Sequence, residues 1–232
     1  MPNIESSLTD WHANLCKSVD VSGLFARSPI AHKWKSPWRA LLLREAVGWR
    51  LVDLLIQSNA LYKAQHLLGA RILVRAAFET LGILIYSNQE MRRVVSGHLD
   101  FHEFSGLTSQ LLLGSRDNTT SLKAKSILTV LQKADKRFPG LLAWYEVLCE
   151  SAHPNCEGLL VGYSTGDTEN YQTTFENRWA AMYSSTHESS IEACMVIFDA
   201  EYNSEWPDAF ESLEKWIESN DQSLEATRPK EG

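Results

Sequence analysis

Apolar residues recur at spacings of three and four along most of the chain, and alternation with a period of two is scarce, which predicts a helical protein. From Trp38, the positions Leu41, Leu42, Trp49, Val52, Leu55 and Ile56 form one stripe, while Arg39, Arg50, Asp53 and Gln57 fall off it. Ser58-Asn59 interrupts this pattern, so a second long helix is expected from about Ala60 to Tyr86. Two long helices joined by a short turn pack antiparallel, as the core of a bundle. A third helical stretch is expected from Asn88 to Leu113 with a break at Ser105-Gly106, and GSRDNTTS, residues 114–121, reads as a loop. Leu122, Ile127, Leu128, Leu131 and Phe138 make another stripe, closed by Pro139-Gly140. A short helix then runs from Leu141 to about Ser151 and ends at His153-Pro154-Asn155, because the residue before a proline is pushed out of helical geometry.

Beyond that point GLLVGYS and NYQTTFE around TGDTE carry the one hairpin signal. Thr173 and Glu176 have capping-box spacing, which predicts a helix from there to about Glu201. Trp206-Pro207 reads as a stop, and Phe210, Leu213, Trp216 and Ile217 mark a last amphipathic helix. The expected fold class is all-α, a helical bundle with one small β-hairpin insertion near 158–175. Residues 1–220 are expected to form a single helical domain. Residues 221–232, DQSLEATRPKEG, have no apolar stripe and read as a disordered acidic tail.

Composition narrows the class without changing it. With 44% hydrophobic and 22% charged residues over 232 positions, the chain has enough apolar surface to fold without disulfide or metal staples. The four cysteines, at 16, 149, 156 and 194, form no CxxC pair and are expected to be reduced and packed. The opening MPNIESSLTD lacks the basic and apolar regions of a secretory signal, and the most apolar stretch, Ala70 to Tyr86, is too short and too charged to span a bilayer. An unexported, cytoplasmic protein with no membrane contact is expected. The net charge of −7 resides in residues 199–232, whereas residues 17–93 hold 12 bases against 5 acids. That basic front half permits contact with phosphate or nucleic acid.

Three polar constellations carry the candidate chemistry. In ARILVRAAFETLGILIY, spacings of four put Arg71, Arg75 and Glu79 on one helix face, with Arg75 and Glu79 in ion-pair reach and Arg75 expected deeper than Arg71. Charges set in an apolar helix must be paired, hydrogen-bonded or open to a cleft. In YEVLCESAHPN, His153 stands at a helix exit in the company of Tyr145, Ser151 and Asn155, and its imidazole is the natural proton carrier at neutral pH. His98 and His102 have the i, i+4 spacing that grips zinc on a helix, but no HExxH pattern accompanies them and no metal is expected. His187 lies on the stripe Tyr183, His187, Ile191, Cys194, Phe198 and reads as a core histidine. There is no P-loop, no G-x-G-x-x-G after a strand and no G-x-S-x-G elbow, so no cofactor is expected.

An apolar helix with R-x3-E, followed some seventy residues later by a Tyr-containing helix that ends in S-x-HPN, resembles an uncharacterised bacterial group allied to HEPN domains. The likeness covers roughly residues 38–200. It implies a HEPN-like helical bundle, often homodimeric, of the kind found in stress and phage-defence proteins and in RNA-cutting enzymes. It further implies that Arg75, Glu79 and His153 converge on one pocket, where they are the expected catalytic residues; the residues themselves offer Arg71, Tyr145 and Asn155 as the expected binding residues. In the enzymatic version the protein is a metal-independent ribonuclease acting on RNA or nucleotide phosphate. His153 would be its general acid or base, and Arg75, oriented by Glu79, would stabilise charge on the phosphorane. The nuclease spacing of Arg, four to six residues, then His is met by Arg93-VVSG-His98, by Arg92 to His98 and by Arg27-SPIA-His32, but Val94 replaces the polar residue usual after the arginine. The alternative is a non-enzymatic helical adaptor that docks a protein partner through its acidic C-terminal helix.

Overall fold

Ten α-helices and one two-stranded antiparallel sheet make up the regular structure of residues 3–117 and 119–229, which the computed structural model describes. The fold is all-α with a small hairpin, as the spacing predicted. No helix among the described residues is long and apolar enough to cross a membrane. The chain divides into two compact units, Met1–Asn14, Trp49–Leu81 and Asp135–Ile197 forming the first, and Leu15–Gly48, Gly82–Ala134 and Phe198–Gly232 the second.

The first unit contains α1 (Ile4–Asn14), the C-terminal half of α4 (Lys35–Lys63), the N-terminal half of α5 (Leu67–Val95), α8 (Leu141–Ala152) and all but the end of α9 (Trp179–Asp199). The helix break expected at Ser58-Asn59 is absent. Both residues are buried inside α4, where Ser58 Oγ donates to the Ala70 carbonyl at 2.8 Å, so tertiary partners override their weak helix preference. The turn falls instead at residues 64–66, where Gln65 takes a left-handed φ of 63°. Leu67, Ala70 and Trp179 form one buried cluster of this unit, with Leu61, Tyr62, Leu68, Tyr163 and Tyr183 packed against it.

Helix α8 begins where Pro139-Gly140 marks it, with Asp135 Oδ1 accepting from the Gly140 and Leu142 amides, both at 3.0 Å. After it, Cys156–Val161 form a π-helical turn, and the strands are β1 (Ser164–Asp167) and β2 (Gln172–Phe175), paired Ser164 to Phe175 and Asp167 to Gln172. The hairpin is therefore present, but its first strand starts later than GLLVGYS suggested. Thr173 and Glu176 cap nothing, since Thr173 lies in β2. Helix α9 starts at Trp179, whose amide is met by Asn177 Oδ1 at 3.2 Å.

The second unit holds α2 (Val21–Arg27), α3 (Pro29–His32), the remaining halves of α4 and α5, α6 (Phe101–Leu113), α7 (Ile127–Asp135, apart from its last residue) and α10 (Trp206–Ala226). Asp20 and Ser28 cap the two short helices, which no long apolar stripe announces. The break expected at Ser105-Gly106 occurs at residues 96–100, and Asp100 caps α6 through the His102 and Glu103 amides. Trp206-Pro207 starts a helix rather than stopping one. Proline lacks an amide that the first helical turn would leave unbonded, and a π-turn, Ala200–Glu205, leads into it.

Helix α10 buries Trp206, Ala209, Phe210, Leu213, Ile217 and Leu224. Its buried Glu214 accepts from Arg27 Nη2 at 2.5 Å and His32 Nε2 at 2.7 Å. The disordered stretch expected from Asp221 is instead helical to Ala226, held by Leu224 at 6% exposure and by Lys33, which pairs with Asp221 at 2.7 Å and Glu225 at 2.9 Å. Residues 230–232 of that expected tail lie outside the described residues, as does Asn118 of the loop expected at 114–121. Ending the chain after Asn220 should lower unfolding stability by about 2 kcal/mol through loss of the buried leucine. Urea denaturation of the truncated and full chains checks this, and an unchanged midpoint would contradict it.

Candidate functional site

The predicted stripe on α5 sits against α8, and the two arginines meet different partners there. Arg75 donates from Nη2 to the Tyr145 hydroxyl at 2.9 Å and lies 3.0 Å from Glu79 Oε1, while Tyr145 donates to the same Glu79 oxygen at 2.9 Å. Its Nε donates to Cys149 Sγ at 3.1 Å. Tyr145 and Cys149 are one turn apart on α8, so the four side chains lock two helices together. The Arg75 and Glu79 side chains are each 26% exposed. Burial works against the Arg75 charge, but the thiol of Cys149 and the carboxylate of Glu79 outweigh it and hold its pKa above the ordinary value. Burial and the bonds to Cys149 and Glu79 push the Tyr145 phenol well up, against the pull of Arg75, so it stays protonated at neutral pH.

Arg71 is the deeper of the two, at 2% exposure, which reverses the order expected from the apolar run. It donates from Nε to Ser151 Oγ at 2.8 Å and from Nη2 to the Val147 carbonyl at 3.4 Å, and its guanidinium lies 3.6 Å from the centre of the Tyr183 ring. Ser151 passes its own proton to Glu157 Oε1 at 2.8 Å. Burial lowers the Arg71 pKa, with Tyr183 and Glu157 opposing. Nearby, Ser58 gives its hydroxyl proton to Ala70, so its 3.2 Å contact with His187 Nε2 is satisfied when Nε2 carries the imidazole proton. Nδ1 then has no partner among the described residues. Burial and the charge of Arg71 push the His187 pKa down to about 4, which makes it the neutral core histidine that its stripe predicted.

His153 does not join this cluster. Helix α8 ends at Ala152, one residue before a further turn would have carried His153 onto the Tyr145–Cys149 face. Its backbone is extended, with ψ of 144°, and its imidazole is exposed and makes no hydrogen bond or ion pair with another described residue. His153 thus forms no bond to Arg75 or Glu79, and Pro154 ends the helix before it. Asn155 serves the backbone: its Oδ1 accepts from the Gly158 amide at 2.9 Å, capping the π-turn, and its Nδ2 donates to Glu150 at 2.5 Å.

The other histidine spacings also resolve into local structure. His98 falls in the turn after α5, where Ser96 Oγ lies 2.9 Å from its Nδ1, whereas His102 is in α6 with Thr227 Oγ1 3.2 Å from its Nε2. The helix on which both were to sit is therefore interrupted, and no cluster of metal-binding side chains occurs among the described residues. Arg93 reaches His98 only through its carbonyl, at 3.0 Å, and pairs with Glu90 at 2.6 Å. Arg27 and His32 both close on Glu214. Sequence reasoning missed Cys149, Glu157 and Tyr183 as partners of the stripe. The i, i+4 steps from Tyr145 to Cys149 and from Tyr183 to His187 are the signals that could have found two of them.

Comparison of the sequence and fold with protein-family models, curated proteins and solved structures gives no match.

Proposed function

We propose that the chain is a non-enzymatic module that binds phosphate of the RNA or nucleotide class. The observation that carries this reading is the state of Arg75. It is charged, pinned at Nε and Nη2, a quarter exposed, and its Nη1 has no partner among the described residues. A pre-organised guanidinium with one open edge is suited to an anionic oxygen. Cleavage would need a proton carrier beside it. Tyr145 stays protonated and already donates to Glu79, Glu79 is occupied twice, and His153 faces solvent. The basic balance of residues 17–93 and the likeness to HEPN-allied proteins support the ligand class. The alternative, an adaptor docking through its C-terminal helix, loses its apolar surface, because the stripe of α10 is buried within its own unit.

Fluorescence anisotropy with a labelled single-stranded RNA, followed by gel analysis of the same RNA, tests the reading. Binding should weaken as salt rises, and Arg75→Ala should weaken it by about tenfold, the lower end of a charge-assisted hydrogen bond. Arg75→Lys, which keeps the charge, should recover part of the loss, and the RNA should remain intact. Cleavage by the wild type that disappears in His153→Ala, or an affinity indifferent to Arg75, would overturn it.

A further inference from the structure

A second cationic feature stands in the second unit, in the loop between α6 and α7 that the sequence marked only as irregular. The loop is built rather than open. Ser115 receives from Ala124 at its carbonyl (3.0 Å), donates from its amide to Leu122 (2.9 Å), and forms an isolated parallel bridge with Lys123. Ser115 Oγ accepts from the Thr120 amide at 3.0 Å, and Thr120 Oγ1 donates to the Leu113 carbonyl at 2.6 Å. The two ends of the loop touch at Gly114, where a Cβ would come 2.7 Å from Ala124 Cα and 2.4 Å from the Gln110 oxygen. Only glycine permits that approach.

Between the two arms of the loop lies an open cavity of about 590 Å³ lined by Ser115, Arg116, Ser121, Lys123, Lys125 and Ser126, with Ala124. Arg116, Lys123 and Lys125 have no ion-pair or hydrogen-bond partner among the described residues, unlike Arg27, Lys33, Arg92 and Arg93 of the same unit, each of which is paired. The acid of the loop, Asp117, is occupied chiefly by Thr119, accepting from its amide at 3.1 Å and its hydroxyl at 2.6 Å, bonds that hold its carboxyl below the usual range. Three like charges around one cavity repel each other until an anion enters, and the hydroxyls of Ser121 and Ser126 supply further donors, that of Ser115 being turned to the Thr120 carbonyl at 3.4 Å. The lining contains no aromatic or apolar side chain larger than alanine, so nothing in it stacks on a base. A volume in the range of small-ligand sites also exceeds what one phosphate fills.

We infer that this cavity binds the chain of linked phosphates in a polyphosphate ligand, either free or carried by a nucleoside triphosphate. The inference rests on the phosphate-binding reading above for its ligand class, but the site is distinct from Arg75. Calorimetric titration of the full chain at low salt with inorganic phosphate, tripolyphosphate and ATP tests it. Tripolyphosphate should bind about tenfold or more tighter than inorganic phosphate, since linked phosphates reach several cations at once. ATP equal to tripolyphosphate would show that the phosphates suffice, and tighter ATP would identify the nucleoside triphosphate as the source. The triple variant R116Q/K123Q/K125Q should lose at least about thirtyfold in affinity. Because all three side chains lie on a surface loop, its melting temperature should match the wild type. The control K63Q/K136Q/K215Q, which removes equal charge elsewhere, should stay within about twofold.

Undiminished binding in the triple variant would overturn this site and leave the phosphate reading standing. A wild type that binds neither tripolyphosphate nor ATP, or ATP alone, would also overturn it. RNA anisotropy then decides separately whether the phosphate reading fails with it.

Discussion

Replacing Trp179 by alanine should destabilise the protein by about 3 to 5 kcal/mol, among the largest effects of any single substitution in the first unit. The indole is fully buried and has a stacked Tyr183 ring at 5.8 Å on one side and an edge-on Tyr163 at 6.2 Å on another. Leu67 and Ala70 of α5 belong to the same buried cluster. The backbone at Gly162 presses on it so closely that a Cβ there would lie 2.7 Å from Cε2 and Cζ2. A void of that size, walled by a helix, a π-turn and two aromatic rings, cannot collapse without moving the start of α9. The indole Nε1 has no hydrogen-bond partner among the described residues, so the side chain acts by volume and shape. Trp179→Phe should therefore recover much of the loss, at a cost of about 1 to 2 kcal/mol. Equilibrium urea unfolding of both variants measures this. Equal losses for alanine and phenylalanine would show that shape is not what the site requires.

How far the sequence discloses this structure depends on the range of the interactions involved. The i, i+4 pairing of Arg75 with Glu79 was readable because a helix alone brings those side chains together. The Pro139-Gly140 boundary and the hairpin were readable because proline, glycine and turn residues act within a few positions. Ser58-Asn59 misled because its partners, Ala70 and His187, lie on other elements. The end of α10 misled for a similar reason: Lys33, which ties down Asp221, is 188 residues away. His153 shows the finest limit. The proline after it correctly predicted the end of α8, but whether the last turn carried the imidazole onto the Tyr145 face depended on a single residue. In the loop at 114–126, the cations were visible as letters, and the cavity they line exists only because Gly114 lets the ends meet.

The same contrast of range sets the expected result for the two arginines of α5. The apolar run placed Arg75 deeper, yet Arg71 is the buried one, so Arg71→Ala should cost about 3 kcal/mol or more and Arg75→Ala about 1 kcal/mol. Removing Arg71 leaves Ser151 Oγ without its donor, the Tyr183 ring without its cation, and Glu157 without the charge that balances it. Removing Arg75 leaves Glu79 with the Tyr145 hydroxyl and with solvent. A pH comparison separates loss of charge from loss of packing. His187 has a folded pKa of about 4, below its unfolded value, because of burial first and the Arg71 charge second. The unfolded chain therefore takes up that proton first, and His187 is responsible for a loss of stability as pH falls from about 6.5 toward about 4. Without Arg71 the folded pKa rises, so the drop between about pH 7 and pH 5 should be smaller in Arg71→Ala than in the wild type, and unchanged in Arg75→Ala. Urea midpoints at the two pH values read this directly. Equal destabilisation by the two substitutions, with no difference in pH slope, would mean that Arg71 contributes bulk alone and that its charge is not felt at His187.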